Sequence, residues 1–325
     1  MYSPGGRIAM LRSMKALTKP ERIFTHESDL DGLLSGLLLK RLAKEEFGEE
    51  IKLEAHSYPS WKMRNLTERC AWVCDFTFEK RMDRPTWMVL DHHTTNVEAA
   101  QCRLIHDLEK SASLLCYELC QQHGLRTEAL DRIVHLSNVA DLYLKHEADF
   151  QLAIDYANLV KTYGFWSIHE LIGGEPEKLL DHPLLEVIQT KRRVEDPMGF
   201  DYSRRHIFKV TDQLGVVDTV VGDTNSIVHQ LLEKGGSNHA VLATMFQKAN
   251  RQVMVSFRSL NGEAIGIARQ FQGGGHANAC GATLPKSVTS IDEAILYMRQ
   301  ILEPQTNSES GLASLENAFA DLKLD

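Results

Sequence analysis

The chain has 325 residues, with 36 Lys and Arg against 44 Asp and Glu, a formal charge of -8. At roughly 150 residues per domain this length suggests two domains, and the acidic balance argues against a protein that coats long nucleic acid through a basic surface. Apolar residues at 43% and charged residues at 25% exclude a wholly disordered or fibrous chain. The cysteines (Cys70, Cys74, Cys102, Cys116, Cys120 and Cys280) contain no CxxC, which points to a reducing cytoplasm rather than a secreted disulfide scaffold. The pairs Cys70/Cys74 and Cys116/Cys120 read as small packing residues. No apolar run is long enough to span a bilayer, so no membrane partner is expected.

Residues 1–20 hold four basic residues and no acidic one, and read as a disordered leader, or as residues ahead of a start at Met10 or Met14. The run Arg22–His26 predicts a strand, and Leu34, Leu38 and Leu42 at i+4 spacing predict the amphipathic helix after it. Further strands are expected at Ile51–Ala55, Ala71–Cys74 and Trp87–Leu90, the last two running directly into Asp75 and Asp91. Helices are expected over Ser111–Gln122, Glu128–Ala140, Phe150–Lys161 and Leu184–Val194. Pro197, Gly199 and a cluster of charges place a linker over 196–205, between a first domain at 21–195 and a second at 206–303. In the second domain, strands are expected at Gly215–Val221, Ala240–Gln247 and Val253–Arg258, with a helix opening at an Asp223 N-cap. The tail 304–325 is polar, with Leu312, Leu315, Phe319 and Leu322 at helical spacing.

Alternation of strands and helices implies an α/β fold, a parallel sheet in the first domain and a smaller α/β unit in the second. Parallel sheets put their chemistry at the carboxyl ends of strands. Four clusters occupy such ends or nearby turns: His26-Glu-Ser-Asp29-Leu-Asp31-Gly32, Asp75, Asp91-His92-His93, and Asp141 in Asn138-Val-Ala-Asp. Each alone reads equally as a cap or a turn. If the aspartates converge, unit charges about 4 Å apart repel by roughly 4 kcal/mol per pair at an effective dielectric near 20, and only cations make that tolerable. Carboxylates with imidazoles suit manganese, with magnesium, cobalt and zinc as competitors, and so many ligands match two ions rather than one.

In this combination and order the sequence resembles the DHH phosphoesterase superfamily, which includes RecJ-like nucleases, small-oligoribonucleotide hydrolases, cyclic-dinucleotide phosphodiesterases and family II pyrophosphatases. The resemblance rests on SDLDG, CDF around Asp75, LDHH, VADLY, and Gly273-Gly274-Gly275-His276, which looks like the GGGH signature of the DHH-associated domain. It implies that two divalent ions, Mn²⁺ foremost, generate a bridging hydroxide for in-line attack on phosphorus. Asp75 is then the bridging ligand, with Asp29 on one ion and Asp31, His92 and Asp141 on the other. Asp91 orients its neighbours, and His93 positions or protonates the scissile phosphate. His26 lies three residues before Asp29, where family members place a histidine four or two before, so it is either a further ligand or a strand-end histidine. In the second domain the glycines and His276 can hold a phosphate, and Arg258 resembles the family arginine that contacts the nucleotide. Lys191-Arg192-Arg193 reads as a solvated helix face.

The expected partners are short RNA or DNA oligonucleotides or small nucleotides, with a homodimer allowed. A pyrophosphatase or polyphosphatase, and a nucleotide-binding regulator without turnover, are the alternatives.

Overall fold

A computed structural model describes residues 17–95 and 97–304. The amphipathic stretch Leu312–Leu322 and all of the expected leader before residue 17 lie outside the described residues. The chain divides into two units, with the division between Thr190 and Lys191.

The first unit is built on five parallel strands, β1 (Arg22–His26), β2 (Leu53–His56), β3 (Ala71–Cys74), β4 (Met88–Asp91) and β5 (Arg103–His106), in the spatial order β2-β1-β3-β4-β5. Its helices are α1 (Leu30–Phe47), α2 (Tyr58–Met63), α3 (Ala112–Gln122), α4 (Glu128–Asp141), α5 (Phe150–Tyr163) and α6 (Phe165–Leu171). Successive strand residues feed opposite faces of the sheet. Ile23, Trp72, Cys74, Met88 and Leu90 join a core with α1, α3, α4 and α5, while Phe24, Val73 and Val89 join Trp61, Phe76, Phe78 and Trp87 on the other side. A sheet covered on both faces needs continuous apolar runs, which is why these strands show no polar alternation. Cys74, Cys116 and Cys120 are free thiols packed in the first of these cores.

The expected linker over 196–205 is instead largely helical. Helix α7 runs Pro183–Ser203 with Pro197 inside it. Gly199, which reads as a breaker, serves packing: a Cβ there would stand 2.1 Å from the Val221 carbonyl oxygen.

The second unit carries a mixed sheet of six strands, β6 (Ile207–Lys209), β7 (Leu214–Val217), β8 (Val241–Gln247), β9 (Val253–Ser259), β10 (Gly274–His276) and β11 (Ala279–Thr283), in the order β10-β11-β9-β8-β7-β6. Helices α9 (Glu263–Gln270) and α10 (Ile291–Leu302) cover one face, and α8 (Thr224–Glu233), capped by Asp223, covers the other.

Gly32 fixes how α1 leaves β1. A Cβ at this position would lie 2.2 Å from the His26 carbonyl oxygen and 3.0 Å from Asp75 Oδ2, and backbone cannot yield as a flexible side chain can. Gly266 in α9 meets nothing within 4 Å. Gly32→Ala is therefore expected to lower the stability of the first unit by about 3 kcal/mol or more. Gly266→Ala should leave the second unit unchanged or stabilise it by up to about 1 kcal/mol. Urea denaturation followed unit by unit checks both, and equal behaviour of the two variants would contradict the steric account.

Candidate metal and phosphate site

The strand order β2-β1-β3-β4-β5 reverses direction between β1 and β3, and such a switch point opens a crevice at the carboxyl ends of those strands. His26 ends β1 and Asp75 follows β3. Asp75 has a left-handed backbone with φ 58°, a conformation that Asp tolerates better than most residues. Its amide donates to the Leu90 carbonyl at 3.1 Å.

Asp29 and Asp31 sit where α1 begins. Asp29 is the N-cap: its Oδ1 accepts from the Gly32 amide at 2.9 Å, leaving Oδ2 3.0 Å from His26 Nδ1. Asp31 is buried, and accepts from the first amides of α3, Ala112 and Ser113, each at 2.9 Å, with Ser137 Oγ at 3.3 Å. The mouth of α3 is held in turn by Asn138, whose Oδ1 accepts from the Ser111 amide at 2.8 Å. Asp141 ends α4 one turn later, its side chain 23% exposed.

Ligand-bearing atoms converge in three overlapping groups, His26 with Asp29 and Asp75, Asp31 with His92 and Asp141, and Asp75 with His92 and His93, the atoms of each lying within 4.8 Å of one another. His92 Nε2 is 3.5 Å from Asp75 Oδ1, 3.5 Å from Asp141 Oδ2 and 3.9 Å from Asp31 Oδ2. Asp75 Oδ2 is buried with no hydrogen-bond partner among the described residues, His26 Nδ1 lying 3.5 Å away. A cation fits this arrangement: the donors are carboxylate oxygens and imidazole nitrogens, the charges are crowded, and a buried acceptor lacks a donor.

The electrostatics of the metal-free protein express the same crowding. Burial and the neighbouring Asp75 carboxylate push Asp31 up to about 6, and burial and Asp31 push Asp141 well above the usual carboxylate range. Burial works against charge on both histidines. Asp29 and Asp75 nevertheless raise His26 to about 11, and Asp75, Asp141 and Asp31 raise His92 to about 10. Burial would raise Asp75 too, but His26 and His92 hold it well below the usual range.

Asp91 and His93 form a second layer. Asp91 is fully buried, its Oδ2 accepting from the Phe78 amide at 2.9 Å and its Oδ1 from the His93 amide at 2.9 Å, with His93 Nδ1 2.8 Å away. On the far side of the ring, His93 Nε2 lies 3.3 Å from the Tyr58 hydroxyl. Sequence reasoning missed Tyr58. It opens α2 directly after β2, and its ring meets Phe76 and His93 edge-on. The signal available was its place just beyond a strand's carboxyl end.

In the second unit, His276 pairs with Ala279 across β10 and β11, and Ala279 pairs with Arg258 across β11 and β9. Directly paired residues share a sheet face, so Arg258 and His276 flank a small alanine on one side. Arg258 donates to Asn225 Oδ1 at 3.0 Å. Gly274 and Gly275 open the edge strand β10, and Gly273 directly precedes it. A Cβ on Gly273 would be 2.4 Å from the Gly281 carbonyl oxygen and one on Gly275 2.5 Å from that of Ala279, whereas Gly274 faces open space.

In metal-free protein, His26 and His92 stay protonated above the ordinary histidine pKa, and Asp31 above the ordinary carboxylate pKa, while the unfolded chain has released those protons. Stability should therefore fall as pH rises from about 4 to about 6, where Asp31 loses its proton, and again from about 6.5 to about 10 and beyond, where His92 and His26 lose theirs; depressed Asp75 acts in the opposite sense only below about pH 4. The stabilisation added by Mn²⁺ should grow over the same intervals, because ligands bind metal deprotonated. Thermal melts in chelator and in Mn²⁺ check this, and a chelator Tm that rises toward about pH 8 would contradict it.

Residues 215–303 match the DHHA1 domain family, and none of the curated proteins matches the chain. Among solved structures, the pGpG-specific phosphodiesterase of Vibrio cholerae is similar at 14% identity and a TM-score of 0.51, over 86% of this chain and 98% of that one. A manganese-bound exonuclease RecJ is similar at 15% identity and a TM-score of 0.51, over 90% and 92%. RecJ of Thermus thermophilus in complex with Mn²⁺ is similar at 14% identity and a TM-score of 0.50, over 90% of this chain and 53% of that one. No described helix is long and apolar enough to cross a membrane. Residues 215–303 thus carry a DHHA1 domain, and over most of its length the chain shares the fold of these phosphodiesterase and exonuclease structures.

Proposed function

We propose that the protein is a divalent-metal-dependent phosphohydrolase acting on short oligoribonucleotides or small nucleotides. The observation that carries this reading is the convergence of Asp29, Asp31, Asp75, Asp141, His26 and His92 in overlapping groups at one switch point. The solved structures of similar fold, a pGpG phosphodiesterase and an exonuclease, and the DHHA1 match favour a nucleotide phosphoester over pyrophosphate.

His26, Asp29 and Asp75 would hold one ion, and Asp31, His92 and Asp141 the other, with Asp75 serving both. Bound there, divalent ions supply Lewis acidity and lower the pKa of water enough for attack at neutral pH. The protein's own groups do the rest. Asp91 anchors His93 through both the amide and Nδ1, leaving Nε2 to hold or pass a proton to a phosphate oxygen, and Tyr58 steers that nitrogen from the other side. Arg258 and His276 supply donors for a nucleotide phosphate in the DHHA1 unit, with Gly273 and the edge-strand glycines Gly274 and Gly275 beside them. The net charge of -8 offers no broad basic track, which favours short substrates.

Purified protein with Mn²⁺ should hydrolyse dinucleotides faster than long single strands or pyrophosphate, as read by a mass-spectrometric time course. Asp75→Ala should fall below about a hundredth of the wild-type rate and lose metal. Full turnover in excess chelator would overturn the proposal.

Tyr58→Phe keeps the ring and removes the hydroxyl, so kcat should drop about fivefold, the value of one hydrogen bond of about 1 kcal/mol, with KM nearly constant. His93→Ala should retain metal and lose far more of kcat. A Tyr58→Phe enzyme changed only in KM would move Tyr58 from positioning His93 to binding substrate.

A further inference from the structure

The groove beside the carboxylate cluster is not used by any of the residues assigned above. It encloses about 480 Å³ and is lined by Glu27 and Ser28 on one side and by Lys161, Gly164, Phe165, Trp166 and Ser167 on the other. Glu27 and Ser28 are the residues between His26 and Asp29, so the groove adjoins the metal site through an unbroken stretch of backbone. Its volume is within the range of small-molecule clefts.

Trp166 is anomalous among the tryptophans. The chain has four; Trp61, Trp72 and Trp87 are at most 1% exposed, whereas Trp166 is 48% exposed. It is held in place without being covered, since Phe165 meets it at 5.0 Å between ring centroids and His169 at 5.4 Å. A half-exposed indole that shares a groove with a cation and a carboxylate offers what a nucleobase requires: a stacking platform, a donor toward its phosphate and an acceptor for its amino group.

We infer that this groove is a nucleobase subsite of the first unit, in which a base of the substrate stacks on Trp166, Lys161 faces the attached phosphate and Glu27 accepts from the base edge. The inference rests on the proposed nucleotide phosphohydrolase and adds to it a determinant that a base-free phosphate ester cannot use.

The test uses the full chain in chelator, with AMP as the probe and ribose 5-phosphate as its base-free counterpart. Because Trp166 is the sole exposed tryptophan, stacking reads out directly as saturable quenching of indole fluorescence. AMP should quench and ribose 5-phosphate should not. Trp166→Phe should abolish the quench while retaining AMP affinity by equilibrium dialysis, and Trp166→Ala should weaken that affinity at least about fivefold, the low end for one stacked base. Equal quenching by ribose 5-phosphate, or unchanged AMP affinity in Trp166→Ala, would overturn the subsite. If wild type turns over dinucleotides with Mn²⁺ yet AMP fails to quench, the subsite fails alone. If AMP quenches as expected but no phosphoester is cleaved, the groove binds nucleotides and the hydrolase reading fails.

Discussion

Like charge held together at the end of a sheet is the constraint on which the first unit depends. Four aspartates and two histidines are gathered where β1 and β3 diverge, and the backbone that gathers them permits little adjustment. Gly32 lets α1 pass against the His26 carbonyl, and Asp75 takes a left-handed turn. Without cations the histidines must carry protons and Asp31 and Asp141 resist ionisation. The cluster is therefore assembled, at a cost in charge repulsion, without any ion to hold it together.

The same side chains also hold the fold. Asp29 caps α1 with one oxygen and faces His26 with the other, and Asp31 spans the first amides of α3 from the first turn of α1. A cap and a metal ligand are not competing descriptions here. A carboxylate has several lone pairs, and amides at a helix start fix its orientation for whatever the remaining ones contact. A structural role for a motif aspartate therefore does not argue against a chemical one.

What the sequence made legible follows from this economy. Strand β3 was readable to the residue because both sheet faces are covered and its apolar run is unbroken up to Asp75, and β1 because its buried Ile23-Phe24-Thr25 leads straight into a helix of regular leucine spacing. The short elements were not. Strand β5 is four residues with only Leu104 and Ile105 apolar, and α2 and α6 are too brief to show a period. Pro197 and Gly199 read as a break, yet the helix continues through both, and Gly199 is required there by close approach to the Val221 carbonyl. The residues that converge beside β1 and β3 were legible through order and spacing, whereas the places of Tyr58 and Trp166 were not. A lone aromatic carries no pattern, and its significance lies in neighbours distant in sequence: His93 for the first, Glu27 and Ser28 for the second.

The second unit solves a different problem with the same parsimony. A run of three glycines invites reading as a flexible loop, but two of them are dictated by the opposing carbonyls of β11 and only Gly274 is sterically free. The last two glycines thus open an edge strand whose backbone is available on its outer side, a place where natural sheets normally deploy bulk or charge against unwanted pairing. Here the edge is short and ends in His276, in line with Ala279 and Arg258.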